Sequence, residues 1–106
     1  MNQTELHTRV LDLFIESLDA PHRLLLDYCR LSIEVVIAKS ENTEYKVETC
    51  LNIDCPSAFG RTAIFVLGSA YYMEKATAVG IKRIDFSYFD NCQPLDWCAE
   101  PENTIL

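Results

Sequence analysis

Two kinds of apolar spacing divide the chain. Between Thr4 and Leu18, the residues Leu6, Val10, Leu13, Phe14 and Leu18 recur at helical intervals, while Glu5, Asp12, Glu16 and Asp19 fall largely elsewhere. That is the stripe of an amphipathic helix. Asp19-Ala20-Pro21 ends it and starts another, with Asp19 as N-cap and Pro21 in the first turn. A brief second helix runs through Leu24, Leu25, Tyr28 and Cys29. From Ser32 the period changes to two. Ile33, Val35 and Ile37 alternate with Glu34, Val36 and Ala38, and Tyr45, Val47, Thr49, Leu51 and Ile53 alternate with Lys46, Glu48, Cys50, Asn52 and Asp54. The polar Ser40-Glu41-Asn42-Thr43-Glu44 joins the two runs, which together predict a β-hairpin.

Pro56-Ser57 stops the second strand. Thr62 to Ala78 is apolar on most sides and too long for a strand, so it reads as a buried helix ended by Gly80. Ile84, Phe86 and Tyr88 alternate with Arg83, Asp85 and Ser87 as a third strand. The order α-α-β-β-α-β follows, and a strand–helix–strand crossover places the third strand in the hairpin's sheet. The expected fold is α+β, with helices packed on one face of a small three-stranded sheet. Residues 1–89 form the compact domain in this reading. Residues 90–106, with two prolines and scattered acids, form an irregular acidic tail packed on or beside it.

The length, 106 residues, fits one domain and leaves no room for two. A polar N-terminal stretch and a longest apolar run of Ala63 to Leu67 carry neither a secretory signal nor a membrane span. The chain therefore reads as soluble and cytoplasmic. Its five cysteines, an odd number, read as reduced thiols that serve mostly as small core residues. A net charge of −7 works against binding nucleic acid or anionic membrane and favours a basic protein partner.

Several segments imitate functional sites. Cys55-Pro56-Ser57-Ala58-Phe59-Gly60-Arg61-Thr62 has Cys and Arg separated by five residues between a strand and a helix. It resembles the signature loop of cysteine-dependent protein phosphatases, which implies a phosphate-binding loop at Cys55–Arg61 with a thiolate nucleophile. Asp54 stands where that family has His, and Pro56 removes one amide from the loop. Gly60-Arg61-Thr62-Ala63-Ile64 and Gln93-Pro94-Leu95-Asp96-Trp97-Cys98-Ala99 both resemble the opening of an ankyrin repeat. That resemblance implies helical repeats and a protein-interaction module as the alternative fold. Cys50/Cys55 and Cys92/Cys98 are spaced more widely than zinc knuckles, and the three glycines form no nucleotide loop, so neither metal nor cofactor is expected.

From Ile84 onward there are five acids and no Lys or Arg, interleaved with aromatics. Aromatics favour interface centres and acids at a rim steer basic partners. The candidate binding residues are therefore Asp85, Tyr88, Phe89, Asp90, Asp96, Trp97, Glu100 and Glu102, with Glu41 and Glu44 at the hairpin turn. No catalytic set emerges, and a non-enzymatic binding or inhibitory protein is the expected function. In profile it resembles phage-encoded inhibitors of host defence, including anti-CRISPR proteins, which implies occupation of a basic, nucleic-acid-binding site on the target. A self-associating homodimer is the structural alternative, and it predicts a large exposed apolar patch.

Overall fold

The computed structural model describes residues 2–39, 41, 44–89 and 97–99, the last three and residues 38–39 by their backbone alone. Three helices and a mixed sheet follow in the order α1 (Gln3–Ser17), α2 (Ala20–Leu25), β1 (Arg30–Lys39), β2 (Tyr45–Cys55), α3 (Ala58–Ala78), β3 (Arg83–Tyr88) and β4 (Trp97–Ala99). The fold is α+β. Strands β1 and β2 pair antiparallel, β2 and β3 parallel, and β3 and β4 antiparallel, giving the sheet order β1-β2-β3-β4.

The fourth strand lies within the stretch that reads as an irregular tail, so the sheet has one strand more than the sequence pattern predicts. Three residues are too few to display a period of two, and the strand is defined by its pairing with β3 rather than by propensity. The ankyrin alternative is overturned. Tyr45–Cys55 and Trp97–Ala99, which would be helical in that arrangement, are both strands, because β2 is laddered along its whole length to β1.

Register sorts the side chains of the sheet. Leu51, Ile53 and Cys55 of β2 stand beside Ile84, Phe86 and Tyr88 of β3, and all six are buried in the core. Leu31 and Ile33 extend this face onto β1. The helices cover it. Phe14 and Leu18 of α1, Leu26 after α2, and Ile64, Phe65, Tyr72, Met73 and Ala76 of α3 complete the same cluster. Phe65 meets Phe86 edge-on at 5.1 Å, and Phe14 meets Tyr72 at 6.4 Å.

Local signals set the helix ends. Asn2, Asp19 and Ser57 cap α1, α2 and α3, each accepting a backbone N–H three residues on. The Ser57 cap starts α3 four residues earlier than apolar periodicity alone indicates. At the other end Gly80 adopts φ 90°, its N–H bonding the Thr77 carbonyl while the Ile81 N–H reaches Ala76. This paired closure needs a left-handed residue, which glycine supplies without strain.

Gly68 answers a different need. A Cβ there would lie 2.5 Å from Cε2 of Tyr72, whose buried ring leans back over the preceding turn. The ring cannot swing aside freely, because its hydroxyl donates to the His22 carbonyl at 2.7 Å. Alanine gains roughly 1 kcal/mol over glycine in a helix, whereas forced repacking of a core costs about 1–3 kcal/mol. Gly68→Ala is therefore expected to lower stability by about 1 kcal/mol in urea unfolding. An increase in stability would show that Tyr72 is not held.

Candidate functional site

The two faces of the sheet differ in kind. The even residues of β1 and β2 and the odd residues Arg83, Asp85 and Ser87 form the face opposite the one on which the three described helices pack. It is a polar mosaic. Arg83 Nε donates to Asp85 Oδ1 at 2.7 Å, the Ser87 hydroxyl donates to Asp54 Oδ1 at 3.0 Å, and Asn52 donates to Ser32 Oγ at 3.5 Å. At its centre the Cys50 thiol lies 3.4 Å from Asp85 Oδ2. Burial and the neighbouring Asp85 carboxylate push the Cys50 pKa up to about 12. Donor atoms of Glu34, Cys50 and Asp85 lie within 4.8 Å of one another. Glu34 is exposed and Arg83 already neutralises Asp85, so the cluster is balanced by a proton on sulfur and a guanidinium.

The Cys55–Thr62 segment forms a strand–helix junction rather than an open cradle. The Gly60 N–H bonds Ser57 Oγ and the Arg61 N–H bonds the Ser57 carbonyl, both at 3.0 Å, so these amides serve the cap of α3. Arg61 is buried, with its guanidinium carbon 4.8 Å from the centre of the Tyr88 ring. The Cys55 sulfur is buried 3.7 Å from that of Cys29, and contact with Cys29 and burial raise its pKa above the ordinary thiol value. Two of the amides that the phosphatase resemblance assigns to phosphate are thus engaged in the helix cap, and the Cys55 thiol is held in its protonated form.

Of the residues proposed from sequence as a binding surface, the described ones are distributed rather than gathered. Asp85 lies on the polar sheet face, half-buried. Tyr88 is 7 % exposed and faces the core, so it supports the surface from beneath instead of forming it. Its place in the alternation, in step with Ile84 and Phe86, turns it inward. Phe89 is at the margin, 37 % exposed, with the Arg30 guanidinium 4.0 Å above its ring. Glu41 and Glu44 are exposed at the hairpin turn. Trp97 is opposite Phe86 in register, as a backbone position. Asp90, Asp96, Glu100 and Glu102 lie outside the described residues.

Among the described residues, two apolar surfaces stand exposed that sequence reasoning missed. The first runs along α3. Its buried residues, Ile64, Phe65, Gly68, Ser69, Tyr72 and Met73, occupy one side. On the other, Phe59, Thr62, Val66, Leu67 and Ala70 form an exposed stripe at helical spacing, with Phe59 84 % and Leu67 66 % exposed. Among the exposed residues of α3, charge first appears at Glu74. The second surface is the far half of the hairpin, where Ile37, Tyr45 and Val47 are each about 70 % exposed on the face that the helices cover nearer the core.

A signal for the stripe is present in the sequence. A helix apolar all round, in a chain this short, has one side for the sheet and no second layer for the other. Along α1 there is also a trough of about 540 Å³ lined by Asn2, Thr8, Arg9 and Asp12 among others, but it is built on one helix and lacks converging groups. Among the described residues, no helix is long and apolar enough to cross a membrane.

No family model matches the chain, and neither does any curated protein or solved structure.

Among the described residues, three buried groups contribute to the alkaline behaviour. Cys50, Cys55 and Tyr72 all have raised pKa values, chiefly through burial for Cys50 and Tyr72 and through contact with Cys29 for Cys55. Above pH 9 the unfolded chain loses protons that the folded chain keeps, so stability falls as pH rises, by up to about 1.4 kcal/mol per pH unit for each group. Cys29, whose pKa is lowered by Cys55, offsets part of this. The urea midpoint is expected to be flat near neutrality and to fall between about pH 9 and 11. Cys50→Ala should reduce that slope; an unchanged slope would remove Cys50 from the account.

Proposed function

We propose that this protein acts by binding another protein, with the outer stripe of α3 as the contact centre. The observation that carries this reading is the exposure of Phe59, Val66 and Leu67 on one uncharged helical face. Each large side chain left in water forgoes roughly 1.5–3 kcal/mol of burial, and contiguous apolar patches of this kind mark interaction sites. A helix laid against a partner's groove reads as anchors at intervals of three and four, which Phe59, Thr62, Val66, Leu67 and Ala70 supply.

The surrounding charge defines the partner. With a net charge of −7, the molecule attracts a protein whose apolar contact surface is ringed by Lys and Arg. A surface that ordinarily holds nucleic acid has that ring, and covering it would make the protein an inhibitor. The acids speed encounter while the stripe sets the lifetime of the complex.

Self-association is the second reading, favoured by the small residues Thr62 and Ala70 within the stripe, which let two α3 helices approach closely. Sedimentation of the pure protein separates the two. A monomer leaves the stripe for a foreign partner, and a dimer that Leu67→Glu dissociates assigns it to a second copy.

Leu67→Glu and Phe59→Ser change exposed positions and are expected to alter folding stability by under about 0.5 kcal/mol. In affinity capture, the wild type should retain a stoichiometric partner that the double variant loses, and association should slow with added salt. Equal capture by the folded double variant would reject the stripe as the contact.

A further inference from the structure

Cys29 lies in the turn between α2 and β1, and Cys55 is the last residue of β2. They stand one step beyond the final ladder pair, Arg30 opposite Asp54, so the hairpin's own register brings them face to face. Their sulfur atoms are 3.7 Å apart, in contact. Opposed residues of antiparallel strands have Cα atoms about 4.5–5.5 Å apart, inside the range of roughly 4.4–6.8 Å that a disulfide spans. Closing the contact to the ~2.05 Å of a sulfur–sulfur bond asks for under about 2 Å of combined movement.

The two thiols differ in access. Cys29 is half-buried and reaches solvent, whereas Cys55 is fully buried. They differ in acidity as well. A hydrogen bond from Cys55 favours the Cys29 thiolate, while Cys55 itself holds its proton more tightly than an ordinary thiol. An approaching oxidant therefore meets the more nucleophilic sulfur first.

We propose that Cys29 and Cys55 form a redox-active dithiol, with Cys29 attacking a small-molecule disulfide of the glutathione type and Cys55 resolving the product. In the first step Cys29 gives its proton to solvent and its sulfur attacks one sulfur of oxidised glutathione. The Cys29–glutathione bond forms, the glutathione disulfide breaks, and one glutathione thiolate leaves and is protonated. In the second step Cys55 loses its proton to water and attacks the Cys29 sulfur. The Cys29–Cys55 bond forms and the second glutathione leaves as a thiol. Two protein thiols are oxidised and one small disulfide is reduced to two thiols.

The bond would tie the α2–β1 turn to the junction from which α3 departs. Cys55 precedes Ser57, the cap of α3, by two residues, so the staple closes at the root of the exposed helix. This chemistry is independent of whether the outer face of α3 binds a partner.

The test incubates the reduced full-length chain with oxidised glutathione, blocks free thiols and maps disulfides by peptide mass spectrometry. The expected result is a linked pair of peptides carrying Cys29 and Cys55. The oxidised protein should melt roughly 10 °C or more above the reduced one, a difference abolished by dithiothreitol. Cys55→Ala should accumulate one glutathione on Cys29, trapped for want of a resolving thiol. Should that variant fold poorly, Cys29→Ala supplies the second arm, with Cys55 left unoxidised. Wild-type protein in which Cys29 and Cys55 both remain alkylatable, pair with other cysteines, or stop at glutathione on Cys29 would overturn the proposal.

Discussion

The helical layer is held together at one side chain. Tyr72, fully buried on α3, packs its ring against Phe14 of α1 and donates its hydroxyl to the His22 carbonyl of α2. Its neighbour Tyr71 stacks on the His22 ring at 3.6 Å, and its hydroxyl oxygen accepts the Asp19 N–H of the same turn at 2.8 Å. A tyrosine is suited to such a junction, because its ring supplies apolar area while its hydroxyl satisfies a carbonyl that a two-turn helix leaves unpaired. α2 is too short to be stable alone, so its position depends on these bonds. Gly68 is part of the same arrangement, since only a residue without Cβ lets the Tyr72 ring lie where it does.

Much of this architecture was legible in the chain. The alternation of Ile33, Val35 and Ile37 with their polar neighbours, answered by Val47 to Ile53, specified both hairpin strands and their inward face. Asp19 and Gly80 marked helix ends because capping is local chemistry. What escaped the sequence was non-local. β4 exists by pairing with β3, and no three-residue pattern announces a partner so distant in the chain. The start of α3 was displaced because Ser57 could be read as part of a strand-ending turn, whereas its hydroxyl caps the helix.

The candidate site was less legible, and the reasons lie in particular residues. Tyr88 and Asp85 are neighbours in an acidic, aromatic stretch, yet strand geometry sends them to opposite faces, one into the core and one onto the polar sheet surface. Composition cannot register that separation. Phe59, Val66 and Leu67 were apolar residues in an apolar helix, indistinguishable by type from Ile64 and Phe65 beside them. Only the count of available layers tells the two sides of α3 apart. Cys29 and Cys55 were visible as residues but not as a pair, since their meeting requires the hairpin register to be continued beyond its last ladder bond.

The parallel pairing of β2 with β3 carries a consequence for how the chain assembles. β1 and β2 are separated by only five residues in the chain, so their ladder closes a small loop and can form early. β3 reaches β2 only after the whole of α3 has been traversed, and the entropy of closing that long loop must be met before any β2–β3 bond repays it. β4, by contrast, pairs with β3 across a short separation in the chain. The β2–β3 ladder is thus the one strand pairing of the described sheet that closes a long loop, and the docking of α3 against the sheet is part of the same closure.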